Sequence, residues 1–133
     1  MKTFKNATVY VEGEGLKKCN LSFDNKIQKI SRCADKTAEV IELPADAIVL
    51  PGFVDQHIHG AGGSDGMDGT LKDVSIIANT IAAEGTTSFL VTTMTQSPEN
   101  ITKALQAVKE YKAENRADGA RVVGVHLEGP FIA

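Results

Sequence analysis

The 133 residues are 42% hydrophobic and 23% charged, the composition of an ordinary globular chain with core enough for one domain of modest size. A formal net charge of −3 leaves no basic footprint for nucleic acid or an anionic membrane. No stretch approaches the ~18 continuous apolar residues of a membrane span, and the opening Met1-Lys2-Thr3-Phe4-Lys5-Asn6 lacks a signal peptide's apolar core, so a cytoplasmic protein is expected. Residues 1–46 read as a β-segment of short strands joined by turns. Thr8-Val9-Tyr10-Val11 is one strand. Asn20-Leu21-Ser22-Phe23, Asp24-Asn25 and Lys26-Ile27-Gln28-Lys29-Ile30 read as a hairpin, because Asp and Asn tolerate left-handed backbone and bond their own main chain. Glu39-Val40-Ile41-Glu42-Leu43 is another strand, ended by Pro44. Cys19 and Cys33 are too far apart for a Cys-x-x-Cys site and are expected as free thiols.

From Ile48 the pattern changes to strand, loop, helix, strand, helix, strand. The apolar run Ala47-Ile48-Val49-Leu50 leads into a buried strand through Pro51-Gly52-Phe53-Val54-Asp55-Gln56-His57-Ile58-His59-Gly60. A first helix is expected over about 70–84, with Thr70 as cap, Asp73 as its capping-box partner and Gly85 as the left-handed stop. Leu71, Val74, Ile77, Ala78 and Ile81 form its apolar stripe. Residues 86–93 form the next strand. A second helix starts at the Ser97 cap with Pro98 in its first turn, presents Ile101, Ala104, Leu105, Val108 and Tyr111, and is followed by Gly119. The last strand is 121–128. Alternating strands and helices imply right-handed βαβ units and a parallel sheet, whose chemistry gathers at the strands' C-terminal ends.

At that rim the residue types become informative. By strand parity Phe53, Asp55, His57 and His59 share one face, with alternate Cα atoms roughly 6.6 Å apart. Two imidazoles so placed can reach one divalent ion. A His-x-His alone is more often two ordinary histidines; here an apolar lead-in, Asp55 and a Gly-rich loop surround it. Parity also aligns Val122, Gly124, His126 and Glu128, so His57, His59 and Glu128 can converge as metal ligands from two strand ends. His126 reads as a histidine behind the ligands or in the core. Asp55 either orients a ligand histidine through its ring N–H or bonds loop amides. The 60–69 loop fails the glycine-rich phosphate fingerprints and the calcium-loop pattern, where Met67 stands in place of Asp or Asn, and reads as a flexible active-site loop. Thr92 and Thr93 end the second strand and either face the site or, the favoured reading, serve as β-branched strand formers.

The β-segment leading into Leu50-Pro51-Gly52-Phe53-Val54-Asp55-Gln56-His57-Ile58-His59-Gly60 resembles the entry of the amidohydrolase superfamily. Gly85-Thr86-Thr87-Ser88-Phe89 and His126-Leu127-Glu128-Gly129-Pro130-Phe131 narrow the resemblance to its N-acetylglucosamine-6-phosphate deacetylase family. The resemblance runs through the whole chain in order. It implies an α/β fold: the N-terminal part of a (β/α)8 TIM-like barrel, over 47–133, preceded by half of a small β-sandwich domain, over 1–46. It also implies a hydrolase that removes acetate from N-acetylglucosamine 6-phosphate with a divalent metal ion (Zn, Fe, Mn or Co, one or two per subunit). In that family the glutamate matching Glu128 is a metal ligand. The general acid/base, an aspartate, and further histidine ligands are expected beyond Ala133, which makes this an incomplete, inactive N-terminal portion of an enzyme that works as a homodimer. Its partner would be a small amino-sugar phosphate. Another amidohydrolase acting on cyclic amides, or a non-catalytic truncated module, is the alternative.

Overall fold

The computed structural model describes residues 1–33, 37–114, 116 and 118–132. The fold is mixed α/β and divides into two compact units, Met1–Pro51 and Gly52–Ala133. Among the described residues no helix is long and apolar enough to cross a membrane. Cys19 is buried, Cys33 is exposed, and neither is in a disulfide.

The first unit is a five-stranded sheet of β1 (Lys2–Val11), β2 (Gly15–Phe23), β3 (Ile27–Ser31), β4 (Glu39–Ile41) and β5 (Ile48–Val49). β1 and β2 pair antiparallel, as do β2 and β3 around the Asp24 turn, where Asp24 Oδ1 accepts from the Lys26 and Gln28 nitrogens at 3.0 and 2.8 Å. The first strand is longer than its apolar run suggests. It continues through a bulge between Phe4 and Ala7, where Asn6 takes φ 51° and donates its N–H to Asn20 Oδ1 at 2.9 Å. Asn tolerates that left-handed angle better than most residues. Ala7, Val9, Cys19 and Leu21 form the core, with Phe4, Val11, Leu43 and Val49 packed on it.

The boundary falls after Pro51 rather than at 46/47. Ile48 and Val49 do not open the second unit; they pair parallel with Thr8 and Val9 of β1. A two-residue apolar pair reads alike on either side of a boundary.

The second unit carries a parallel sheet of β6 (Phe53–Ile58), β9 (Thr86–Thr92) and β10 (Arg121–His126), in the order β10-β9-β6. Helix α1 (Leu71–Ala83) connects β6 to β9, and α2 (Pro98–Ala113) connects β9 to β10. Thr70 caps α1 by accepting from Asp73 N, and Gly85 follows at φ 91°. The Asp73 carboxylate takes the hydroxyls of Thr70 and, at 3.0 Å, Ser64 instead of the main-chain N–H of a full capping box. Ser97 caps α2 by accepting from Asn100 N, with Pro98 at its start. Val74, Ile77, Ala78 and Ile81 of α1 meet Phe89 and Val91 of β9, Val122 of β10, and Ala107, Val108 and Tyr111 of α2 in one core.

Three expectations change here. Ala107 is buried and Leu105 is 39% exposed, although Leu105 was assigned to the stripe. The two positions flank the stripe on opposite sides, and α2 turns the Ala107 flank to the core cluster. β6 is an edge strand, so Phe53 and Val54 are exposed rather than buried. The β10 parity also fails. The register slips between Val122 and Gly124, so Val122 is buried in the helix-facing core, which Val125 also joins at its margin.

Candidate metal centre

β6 ends at Ile58, His59 follows at a bend, and Glu128 lies two residues beyond the end of β10. The rims of both edge strands therefore supply the donors across the central strand β9. His57 Nε2 and His59 Nε2 are 3.3 Å apart. Glu128 Oε2 lies 2.9 Å from the first and 3.3 Å from the second. Donors on a tetrahedral ion with bonds of about 2.0–2.1 Å are separated by about 3.3 Å, so the spacing fits one shared cation. Among the described residues, these three are the group of His, Cys, Asp or Glu side chains whose donor atoms converge for a metal.

The donor chemistry agrees with the distances. Glu128 Oε2 is buried and has no hydrogen bond, although two ring nitrogens are close. Proximity alone does not make a bond here, because a charge-assisted hydrogen bond needs alignment as well. Two imidazoles that turn Nε2 toward each other at 3.3 Å cannot both present protons there. A cation among three lone pairs satisfies all of them at once. His59 Nδ1 is likewise buried without a protein acceptor. The three side chains remain 35–49% exposed, so the centre opens to solvent on one side.

The structure separates the other sequence candidates. Asp55 Oδ1 accepts from the main-chain N–H of His57 at 3.0 Å; it braces the strand and bonds no imidazole. The His126 ring packs against that of His57, with centroids 4.5 Å apart, and lies outside the converging group. Residues 60–69 are not an irregular loop. They form a short hairpin of β7 (Gly60–Ala61) and β8 (Ser64–Asp65), then a 3-10 turn over Gly66–Asp68. Asp65 and Asp68 close that turn reciprocally, and Gly66 N–H donates to the His59 carbonyl at 2.7 Å. Glycine and aspartate here serve turn geometry, which composition alone does not distinguish from mobility. Thr93 is favoured by its sequence as a strand former over a residue facing the site. It is buried, and its hydroxyl accepts from Glu128 N–H at 3.1 Å. Its position next to the strand end was the available signal.

No protein-family model matches the chain. Over 97% of its length the chain is 40% identical to the N-acetylglucosamine-6-phosphate deacetylase of Bacillus subtilis, of which it covers 34%. It is similar in structure to the N-acetylglucosamine-6-phosphate deacetylase of Pasteurella multocida, with a TM-score of 0.85 and 28% identity over 99% of this chain and 35% of that one. A mutant N-acetyl-D-glucosamine-6-phosphate deacetylase of Mycobacterium smegmatis, solved in complex with N-acetyl-D-glucosamine-6-phosphate, is similar at a TM-score of 0.74 and 26% identity, over 99% of this chain and 33% of that one. The chain thus spans about a third of the length of the relatives it matches.

Proposed function

We propose that the chain is a portion, about a third of the length, of an N-acetylglucosamine-6-phosphate deacetylase, and that it contributes the metal-binding rim of an amide hydrolase. The reaction is hydrolysis of the acetamide of N-acetylglucosamine 6-phosphate, giving acetate and glucosamine 6-phosphate, a step of amino-sugar catabolism in the cytoplasm. The observation that carries this reading is the convergence of His57, His59 and Glu128 at one strand rim.

On this reading β6, β9 and β10 are the first three strands of a (β/α)8 barrel, and the sheet of residues 1–51 is half of a small β-sandwich. His57, His59 and Glu128 would hold a divalent ion, which would supply Lewis acidity to lower the pKa of water to about 7 and to polarise a carbonyl. The chain's own contribution is placement. Asp55 holds the His57 main chain, Gly66 holds that of His59, and the exposed side of the centre admits the acetamide. Proton delivery to the leaving amine falls to an aspartate outside these 133 residues. The active protein is a homodimer, and its small-molecule partner is the amino-sugar phosphate.

The test is acetate release from N-acetylglucosamine 6-phosphate by the protein that carries this chain. Turnover is expected, and it should fall at least 100-fold when His57 or His59 becomes Ala. Hydrolysis of a hydantoin or dihydropyrimidine ring instead would move the protein to another branch of the superfamily.

A further inference from the structure

We infer that Thr93 is a positioning residue for Glu128; the inference rests on the reading of His57, His59 and Glu128 as a metal centre. β10 ends at His126, and its last paired position is His126 with Thr92. Glu128 therefore stands two residues past the regular ladder, where an unsupported carboxylate would swing. Thr93 takes over there. Its main-chain N–H donates to the His126 carbonyl at 3.0 Å. Its hydroxyl then sits between the two polar main-chain groups of Glu128. It accepts from the N–H at 3.1 Å and is directed at the carbonyl oxygen at 3.5 Å, a longer and weaker contact. A hydroxyl is both donor and acceptor, so one side chain can stand in for the missing strand partner.

Burial and backbone contact support this role independently. Thr93 is 1% exposed, so water does not compete freely for the bond. One residue further along, Gly129 has φ 88°, and a Cβ there would lie 3.0 Å from Thr95 Cα and 3.1 Å from Thr95 N. Residues 93–95 thus run directly alongside 128–129. Thr92 shows that burial alone is not the criterion, since its hydroxyl is equally buried and has no partner. Metal ligation tolerates displacements of about 0.2 Å, so an anchor on the ligand's own peptide groups controls affinity without touching the ion.

Thr93→Val keeps the shape of the side chain and removes the hydroxyl; Thr93→Ser keeps the hydroxyl. Both are made in the protein that carries this chain and titrated with Co(II), together with Glu128→Gln. Thr93→Val should weaken Co(II) binding about 10- to 100-fold and change the ion's visible absorption, while Thr93→Ser stays within about threefold of the parent. If Thr93→Val does not fold, Thr93→Ala makes the same comparison. An unchanged affinity and spectrum in Thr93→Val would overturn the inference. So would equal losses in the Val and Ser variants that track their metal-free melting temperatures, because that marks a general packing role. If Glu128→Gln itself binds Co(II) with parent affinity and spectrum, the metal-centre reading fails first and the inference falls with it.

Discussion

His57, His59 and Glu128 are each held through the main chain: by Asp55, by Gly66 N–H and by the Thr93 hydroxyl. These braces fix the Cα positions and leave the donor atoms facing one another. Histidine with glutamate is a mixed donor set suited to first-row divalent ions. His57→Ala or Glu128→Ala is therefore expected to lower metal stoichiometry by elemental analysis, in a protein that still folds, since both side chains are partly solvated. Metal content equal to the parent's in either variant would show that the residue is not a ligand. That these three side chains come together was legible in the sequence because residue type, spacing and position at a strand end agreed. The braces were not. Asp55 offered two partners that sequence cannot rank, and Thr93 bonds a residue 35 positions away.

Helix limits were the clearest feature of the sequence at the scale of elements. Thr70 and Ser97 as caps and Gly85 as a stop act within a turn of their own positions, so local chemistry decides them. What depends on packing was read less well: Leu105 against Ala107, the slip in β10, and the sheet to which Ile48 and Val49 belong. The start of α1 also carries a pH response. The Thr70 hydroxyl, and less strongly that of Ser64, hold the Asp73 carboxyl below its ordinary value of 3.8 despite some opposing desolvation. A carboxyl lowered in this way binds fewer protons folded than unfolded. Its stabilisation is complete above 3.8 and is lost as pH falls through the lower folded value. Urea unfolding between about pH 2 and 6 should show stability falling toward acid, with a shallower fall in Asp73→Asn. Identical slopes in the two proteins would remove Asp73 from the account.

For the 133 residues as a whole, both sheets matter separately. The second unit leaves β6 and β10 as open edges. It also exposes Phe53, Val54, Leu127, Phe131 and Ile132, with Phe131 at 98%. Open parallel edges beside apolar side chains favour pairing with further copies. Expressed alone, these residues are expected to self-associate in size-exclusion chromatography with light scattering. A compact, cooperatively melting monomer across the micromolar range would contradict that. The alternating pattern identified the parallel sheet, but it gave β6 as a buried strand. Strand order decides which strand has two neighbours, and periodicity carries no information on order.

The order β10-β9-β6 also has a meaning in time. β6 and β10 never pair with each other; two strand spacings, about 9.6 Å, lie between them. The donors at 57 and 59 meet the one at 128 only after both edge strands have docked on β9. A cation bound as proposed needs all three, so it would be captured only after both edge strands have docked and would act mainly as a latch against escape. Chelation is therefore expected to speed unfolding by a larger factor than it slows refolding. A refolding rate that drops as much as the unfolding rate rises would place assembly of the centre early in folding.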